Sequence, residues 1–549
     1  MKQQDKTRRD FLRFAGAGAA AVAAGGFSRV LQAGESVNPF AARGRKRPNI
    51  LLLLTDDQAF CTIGSLNNPD VRTPSIDRLV RRGTTFTHCF NQGGFHGAIC
   101  VASRAMLNTG WHLWTCGGDT CGDWPLWGET LGQAGYDTFM TGKWHNEAAS
   151  LKRSFKTVGP TGGAMFPSKD PKAEEHKKQG ILKNPYNRPT PGNSWSPSDE
   201  TLEGHWRKVG DGIVHSSKLW ADAAIDHLSH RAIGSIRQTR GEGILPLRAE
   251  GVPPSDRGQD VRDTKDSRNR RQDAGKTQGR DALATPPFFM YVAFHAPHDP
   301  RQAPKEFVDL YPPEKIKVPP NYLPEHPFDQ GDHKLRDEVL APFPRTKEAV
   351  QVQISEYYAI ITHLDQQVGR ILDALDASGQ ADNTIVIFSA DQGLAVGQHG
   401  LMGKQNQYDH SVRMPFVMCG PGIEAGRRID ALVYLQSLFA TTCDMARIQT
   451  PETVQFPSLV PLLTGRTERL YDSIYGTYRN LQRMARTDRY KLIRYPQVNE
   501  VQLFDLQEDP WETKDLAEDP RYADTVRSLD KQLHRWMKET GDKLELDRL

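Results

Sequence analysis

Cysteine is scarce, with seven in 549 residues. That excludes a small cross-linked scaffold, in which disulfides stand in for a core. An excess of charge is also missing. Seventy Lys and Arg face 67 Asp and Glu, for a formal net charge of +3, which excludes the basic footprint of a protein whose main partner is nucleic acid. No apolar run is long enough for a permanent membrane span, since the candidate at residues 14–24 is short and built mainly of Ala and Gly. Aromatics vanish between residues 248 and 284, where "SDRGQDVRDTKDSRNRRQDAGKTQGRD" mixes charges of both signs. Such a segment has too little apolar surface to order itself and is predicted to be a disordered insertion. What is present is ordinary for a globular protein: 38% hydrophobic and 25% charged residues. The length fits one large domain with a smaller one.

The N-terminus reads "TRRDFLRFAGAGAAAVAAGG". The Arg8–Arg9 pair, then Phe11 and Leu12, then a small-residue apolar run resembles a twin-arginine export signal over residues 1–33. The resemblance implies the twin-arginine export machinery as a partner and a bacterial protein of the periplasm or the medium, folded before it crosses. An exported chain usually pairs its cysteines. Cys116 and Cys121, in "CGGDTC", are close enough to pair; a disulfide and two free thiols both stay open.

Four apolar runs share a pattern. "PNILLLLTDD" ends in Asp56 and Asp57, "YDTFMTGKWH" in Lys143 and His145, "FFMYVAFHAPH" in His295 and His298, and "NTIVIFSADQG" in Asp391 and Gln392. Continuous apolar runs without alternation are strands buried on both faces, hence a parallel sheet. Open α/β sheets bind ligands beyond the carboxyl ends of their strands. The four runs therefore deliver acids, a lysine and histidines to one crevice.

Helices fall between them. "TPSIDRLVRRG" has Thr73 as N-cap, Pro74 in the first turn and Gly83 as a stop. "SEYYAIITHLDQQVGRILDALDASG" places Tyr357, Ile361, Leu364, Val368, Ile371 and Leu375 at helical spacing. The predicted class is α/β over residues 47–466, a large doubly wound, mixed but mainly parallel sheet flanked by helices. Residues 160–215 read as a long irregular excursion, and residues 467–549 as a small α+β domain of antiparallel strands with a packed helix.

In "AICVASRAMLNTG", Cys100 precedes Arg104 by four residues, so on a helix the two share a face. Asp56, Asp57, Asp391 and Gln392 offer three carboxylates and an amide oxygen. These hard ligands suit Ca²⁺ or Mg²⁺ over zinc.

"CVASR" resembles the sulfatase signature. "LLLLTDD", "GKWH", "HAPH" and "SADQG…HGLMGK" are similar to the other blocks of that family, in family order. The resemblance runs over residues 47–549, with 248–284 outside it, and places the chain in the alkaline-phosphatase-like superfamily. It implies a sulfuric ester hydrolase. A formylglycine-generating maturation enzyme would oxidise Cys100 to an aldehyde, whose hydrate supplies the nucleophile. One hydroxyl attacks sulfur and displaces the alcohol; the second then loses its proton and sulfate is expelled. By the same resemblance, Asp56, Asp57, Asp391, Gln392 and the converted Cys100 hold Ca²⁺, with Mg²⁺ as the alternative. Arg104 and Lys143 hold the hydrate and the sulfate, and His145 handles a proton. His298 and Lys404 bind the ester side and protonate the leaving alcohol. His295 is expected to support the site from behind, and Lys404 could instead be a surface lysine. His96 and His112 flank the signature and are either substrate contacts or structural. The chain departs from the family pattern at three positions. Ala102 replaces the commoner Pro, Gln392 the commoner Asn or His, and Trp111 an Arg.

Trp111, Trp114, Trp124 and Trp127 crowd one stretch, either as faces for sugar or aryl rings or as packing. The expected substrate is a sulfated poly- or oligosaccharide. An aryl or choline sulfate, a phosphate mono- or diester, and a role as a sulfated-glycan binder without turnover remain as alternatives. A pure binder would not need Lys143, His145 and Lys404 together.

Overall fold

The computed structural model describes residues 39–40, 46–66, 68–116, 120–163, 183–202, 204–239, 285–332 and 335–549. The expected export segment at 1–33 and the expected insertion at 248–284 lie outside them.

Each of the four apolar runs forms a strand: Asn49–Thr55, Asp137–Lys143, Phe288–Ala293 and Thr384–Ala390. They are neighbours in space. Thr384–Ala390 pairs with Asn49–Thr55, that strand with Phe288–Ala293, and that one with Asp137–Lys143, all parallel. The register sets Thr55 opposite Ala390 and Leu54 opposite Ala293, so the polar residues after each strand emerge along one edge. Thr157–Gly162 extends the parallel side beyond Asp137–Lys143. On the other side Phe416–Cys419 turns the sheet antiparallel and leads to Thr84–Phe90, which also pairs with Arg413–Met414 and Arg427–Tyr434. Mixed direction on one flank of a parallel core matches the expected class.

Burial explains the unbroken apolar runs. Leu51 and Leu53 pack on one side of the sheet, against Ile361, Leu364 and Val368 of the helix Lys347–Ala377 and Trp220 of Ser216–Thr239. Ile50, Leu52 and Leu54 pack on the other side, with Trp127, Phe289 and Phe439. Successive strand residues alternate faces, and both faces are covered, so every position is apolar. Each such buried side chain contributes roughly 1.5–3 kcal/mol.

The helix after Thr73 spans Pro74–Arg82 and ends at Gly83. The long helix starts earlier than its apolar pattern indicates. It begins at Lys347, where the Thr346 side chain accepts from the Ala349 amide at 3.1 Å. Of the excursion at 160–215, residues 183–202 are irregular as expected, whereas its two described ends are regular. It opens within the edge strand Thr157–Gly162 and closes with the hairpin Trp206–Val209/Gly212–His215.

Beyond residue 466, four antiparallel strands (Ile474–Tyr478, Gln482–Arg486, Tyr490–Tyr495 and Glu500–Asp505) carry the helix Ala523–Thr540. Leu529, Leu533 and Trp536 of that helix are buried on Leu492 and Leu503. The sheet takes a fifth strand, Gly93–Gly94, from just before the Cys100 helix. Gly93 has φ +93°, and a Cβ there would stand 1.8 Å from the Thr477 carbonyl oxygen, so only glycine permits this pairing.

Candidate active site

Cys100 is the second residue of the helix Ile99–Thr109, whose N-cap, Ala98, makes no side-chain hydrogen bond. A helix N-terminus favours negative charge at this end. Arg104 lies one turn on, but it is not aimed at an open space. Its Nε donates to Asp391 Oδ2 at 2.7 Å and its Nη1 to the Lys143 carbonyl at 2.6 Å. Arg104 thus ties the Cys100 helix to two strand ends, and its buried Nη2 has no hydrogen-bond partner among the described residues.

Asp56, Asp57, Asp391 and Cys100 each bring one ligand atom to within 4.8 Å of the others. All four are buried. Lys143, the last residue of its strand, donates to Asp56 Oδ2. Lys404 donates to Asp57 Oδ2 at 2.5 Å, and its Nζ stands 3.1 Å from Cys100 Sγ. Lys404 is 2% exposed, so it is no surface lysine. Gln392 Oε1 accepts from Asn91 Nδ2. Asn91 follows the strand Thr84–Phe90 and also donates to the Asp391 carbonyl at 3.0 Å.

The charges interlock. Burial raises the Asp56 carboxyl, but Lys143, His298, Arg104 and Lys404 outweigh it and leave it well below the usual range. Burial pushes Asp57 up to about 8, with Asp56 and Asp391 adding repulsion. Burial, then Asp56, lifts Asp391 to about 6. The Cys100 thiol is raised by burial and by Asp56. Three carboxylates this close favour a further cation. Asp56 Oδ1, buried without a hydrogen-bond partner among the described residues, gives it an unclaimed ligand atom. The oxygen-rich donor set fits Ca²⁺ or Mg²⁺.

His145 lies two residues past Lys143 with φ +66°, and Asp57 has φ +64°. Non-glycine residues in this region cost energy and persist where the surroundings hold them. Asn146 supplies such a hold, donating to the Val101 carbonyl of the Cys100 helix at 3.1 Å. Burial, then Lys143, pushes His145 down to about 2, so it is neutral, and its Nδ1 has no hydrogen-bond partner among the described residues.

His298 is the "HAPH" histidine at the cluster, its Nε2 3.6 Å from Asp57 Oδ2. Its Nδ1 donates to the Asp299 carbonyl at 2.6 Å, and its Nε2 accepts from Arg336 at 3.2 Å. His295 instead faces Gly163, whose carbonyl accepts from its Nε2 at 2.6 Å, and packs on Trp220. His112 is bound to Gln92 and packed on Phe456. His96 accepts from the Ala98 amide through Nδ1. Cys116 and Cys121 are separate thiols. Trp127 is a core residue; Trp111 and Trp124 pack together, ring centroids 4.2 Å apart, with Trp124 exposed.

The sequence reading missed Arg336, Asp337, Gln405 and Asn91. Arg336 pairs with Asp299 and Asp337, and Gln405 joins Asp337 to the Gly97 carbonyl, closing the rim beside Cys100. Arg336 and Asp337 come from an irregular loop with no periodicity to mark them.

A family model described as sulfatase matches residues 48–448. The chain belongs to the sulfatase family. A second model, N-sulphoglucosamine sulphohydrolase, C-terminal, matches residues 397–539 of this sulfatase. It is 25% identical over 504 residues to an arylsulfatase of Clostridium perfringens, covering 88% of this chain and 93% of that one. It is 24% identical over 519 residues to an ulvan-active sulfatase of Formosa agariphila, covering 91% and 83%. A structure solved with its substrate D-glucosamine-2-N,6-O-disulfate has the same fold, with a TM-score of 0.62 and 20% identity over 91% of this chain and 99% of that one. As a sulfatase, the protein is a sulfuric ester hydrolase.

Proposed function

We propose that this sulfatase removes sulfate from a sulfated poly- or oligosaccharide, using formylglycine made from Cys100. The observation that carries the reading is Cys100 at a helix N-terminus, with Lys404 at 3.1 Å and three carboxylates around it. A relative named for its action on ulvan and a fold neighbour solved with a disulfated glucosamine support the substrate class. The Arg8–Arg9 segment supports export to the periplasm or beyond.

Formylglycine, once hydrated, offers one hydroxyl to attack sulfur and a second whose deprotonation releases sulfate. Asp56, Asp57, Asp391, Gln392 and residue 100 would hold a divalent cation, which would supply positive charge to offset the negative charge that builds on the sulfuryl group. Lys143 and Lys404 stabilise the same developing charge. Neutral His145 accepts the proton from the second hydroxyl. His298, whose Nε2 accepts from Arg336, has no proton there to give. Lys404, an ammonium on the same side, is the donor to the leaving alcohol. Arg104 positions the Cys100 helix rather than gripping the sulfate.

The test is a peptide mass spectrum over residue 100 together with sulfate release from aryl sulfates and sulfated saccharides. Unmodified Cys100 in fully active protein overturns the nucleophile. Sulfate release from aryl esters with every sulfated saccharide refused overturns the substrate class.

A further inference from the structure

A cavity of about 580 Å³ opens between the segments flanking the Cys100 helix and the C-terminal sheet, lined by Phe95, Trp114, Arg479, Arg483, Asp542 and Lys543. None of its lining residues belongs to the carboxylate and lysine cluster around Cys100. The Phe95 and Trp114 rings meet edge to face with centroids 4.6 Å apart. The Arg483 guanidinium lies over the Trp114 ring, 5.3 Å from its centroid, and Asp542 holds it there through Nε at 2.5 Å and Nη2 at 3.2 Å. Tyr475 also donates to Asp542, so that carboxylate is fully engaged within the protein. Arg479 pairs with Asp332 at 3.2 Å while staying 35% exposed, and Lys543 is exposed.

The lining therefore combines aromatic faces with three cations and one carboxylate already in use. Aromatic rings cover the apolar faces of sugar rings, and guanidinium groups bind oxyanions in a planar fork. Phe95 precedes Cys100 by five residues, which bounds their separation at about 18 Å of extended chain. One oligosaccharide can span that distance. We propose that this cavity binds a second, sulfated sugar unit of the same substrate chain, at a distance from the ester being cleaved. The proposal rests on the saccharide reading above.

The test uses the full chain with Cys100→Ala, which removes the attacking group and leaves substrate intact, with and without the exposed pair Arg479→Gln and Lys543→Gln. The probes are size-graded heparin and carrageenan oligosaccharides and dextran sulfate, with unsulfated dextran as control, in affinity electrophoresis at two salt concentrations. The expected result is binding of the longer sulfated probes, weakened tenfold or more by the double substitution and by added salt, with no binding of dextran. Unchanged binding in the double variant, or no binding of any sulfated probe, overturns the proposal. The same pair in otherwise native protein should raise KM for long probes and leave turnover of a small aryl sulfate unchanged; an equal loss on both also overturns it. The saccharide reading fails separately. If native protein releases sulfate from none of the saccharides while the double variant still loses affinity, the cavity stands and that reading falls.

Discussion

Lys404 Nζ lies 2.5 Å from Asp57 Oδ2 and 3.1 Å from Cys100 Sγ, linking the glycine-rich loop after the strand Thr384–Ala390 to the start of the Cys100 helix. One ammonium thus both neutralises a metal-ligand candidate and touches the residue proposed as the source of the nucleophile. Burial opposes its charge, but Asp57 and then Cys100 hold its pKa well above the ordinary value.

Lys404→Ala should lower kcat on an aryl sulfate by on the order of 10² to 10³, the scale of losing one preorganised donor. Conversion of Cys100, read by mass spectrometry on the same sample, should be unaffected. Retention of full kcat would remove Lys404 from the chemistry.

Cys100→Ala should abolish sulfate release while shifting Tm by little, because it deletes one sulfur atom from a helix otherwise anchored by Arg104. Sulfate release at the native rate would show that the nucleophile lies elsewhere.

Chelation of divalent cations should destabilise the protein and stop turnover, since Asp56, Asp57 and Asp391 then face one another with only lysines and Arg104 between them. Re-addition of Ca²⁺ or Mg²⁺ at a hundredfold excess over Kd should restore about 2.7 kcal/mol. The check is Tm against cation concentration; a flat curve would rule out the site.

Arg336→Ala frees His298 Nε2 from its donor. Because Lys404 is the proposed donor to the leaving alcohol, esters with poor leaving groups and activated aryl esters should lose kcat alike. A larger loss on poor leaving groups would assign help to the departing oxygen to His298 and Arg336 instead.

Stability should fall as pH drops below 6.5. Burial first depresses His205 to about 4, and His363 and His399 each to about 3. Unfolded histidines take up protons near 6.5, whereas these folded ones do not until well below it. The unfolded state therefore binds more protons across the window from 6.5 down to between 4 and 3, and stability is lost there. Each contributes at most ~1.4 kcal/mol per pH unit. Urea midpoints at pH 7 and pH 5 check this; identical values would refute it.

Much of this protein is legible in its residues. Strands buried on both faces carry no alternation, so Leu51 to Leu54 and Phe288 to Ala293 announce a covered parallel sheet. The polar residues that end them stand at carboxyl edges by chain direction alone, which is why Asp56, Asp57, Lys143, His298 and Asp391 are readable as one crevice. Tertiary structure decided the rest. Strand order set which ends are adjacent, and with it the pairing of Lys143 with Asp56 and of Lys404 with Asp57. It turned Arg104 inward, because a buried guanidinium takes the nearest carboxylate and carbonyl, here Asp391 and Lys143. It drew Gly93–Gly94 into the C-terminal sheet, a pairing two glycines cannot advertise by periodicity. It brought Arg336 to His298 from an irregular loop. Local pattern determines which face of an element is buried; long-range packing alone determines which charge finds which partner.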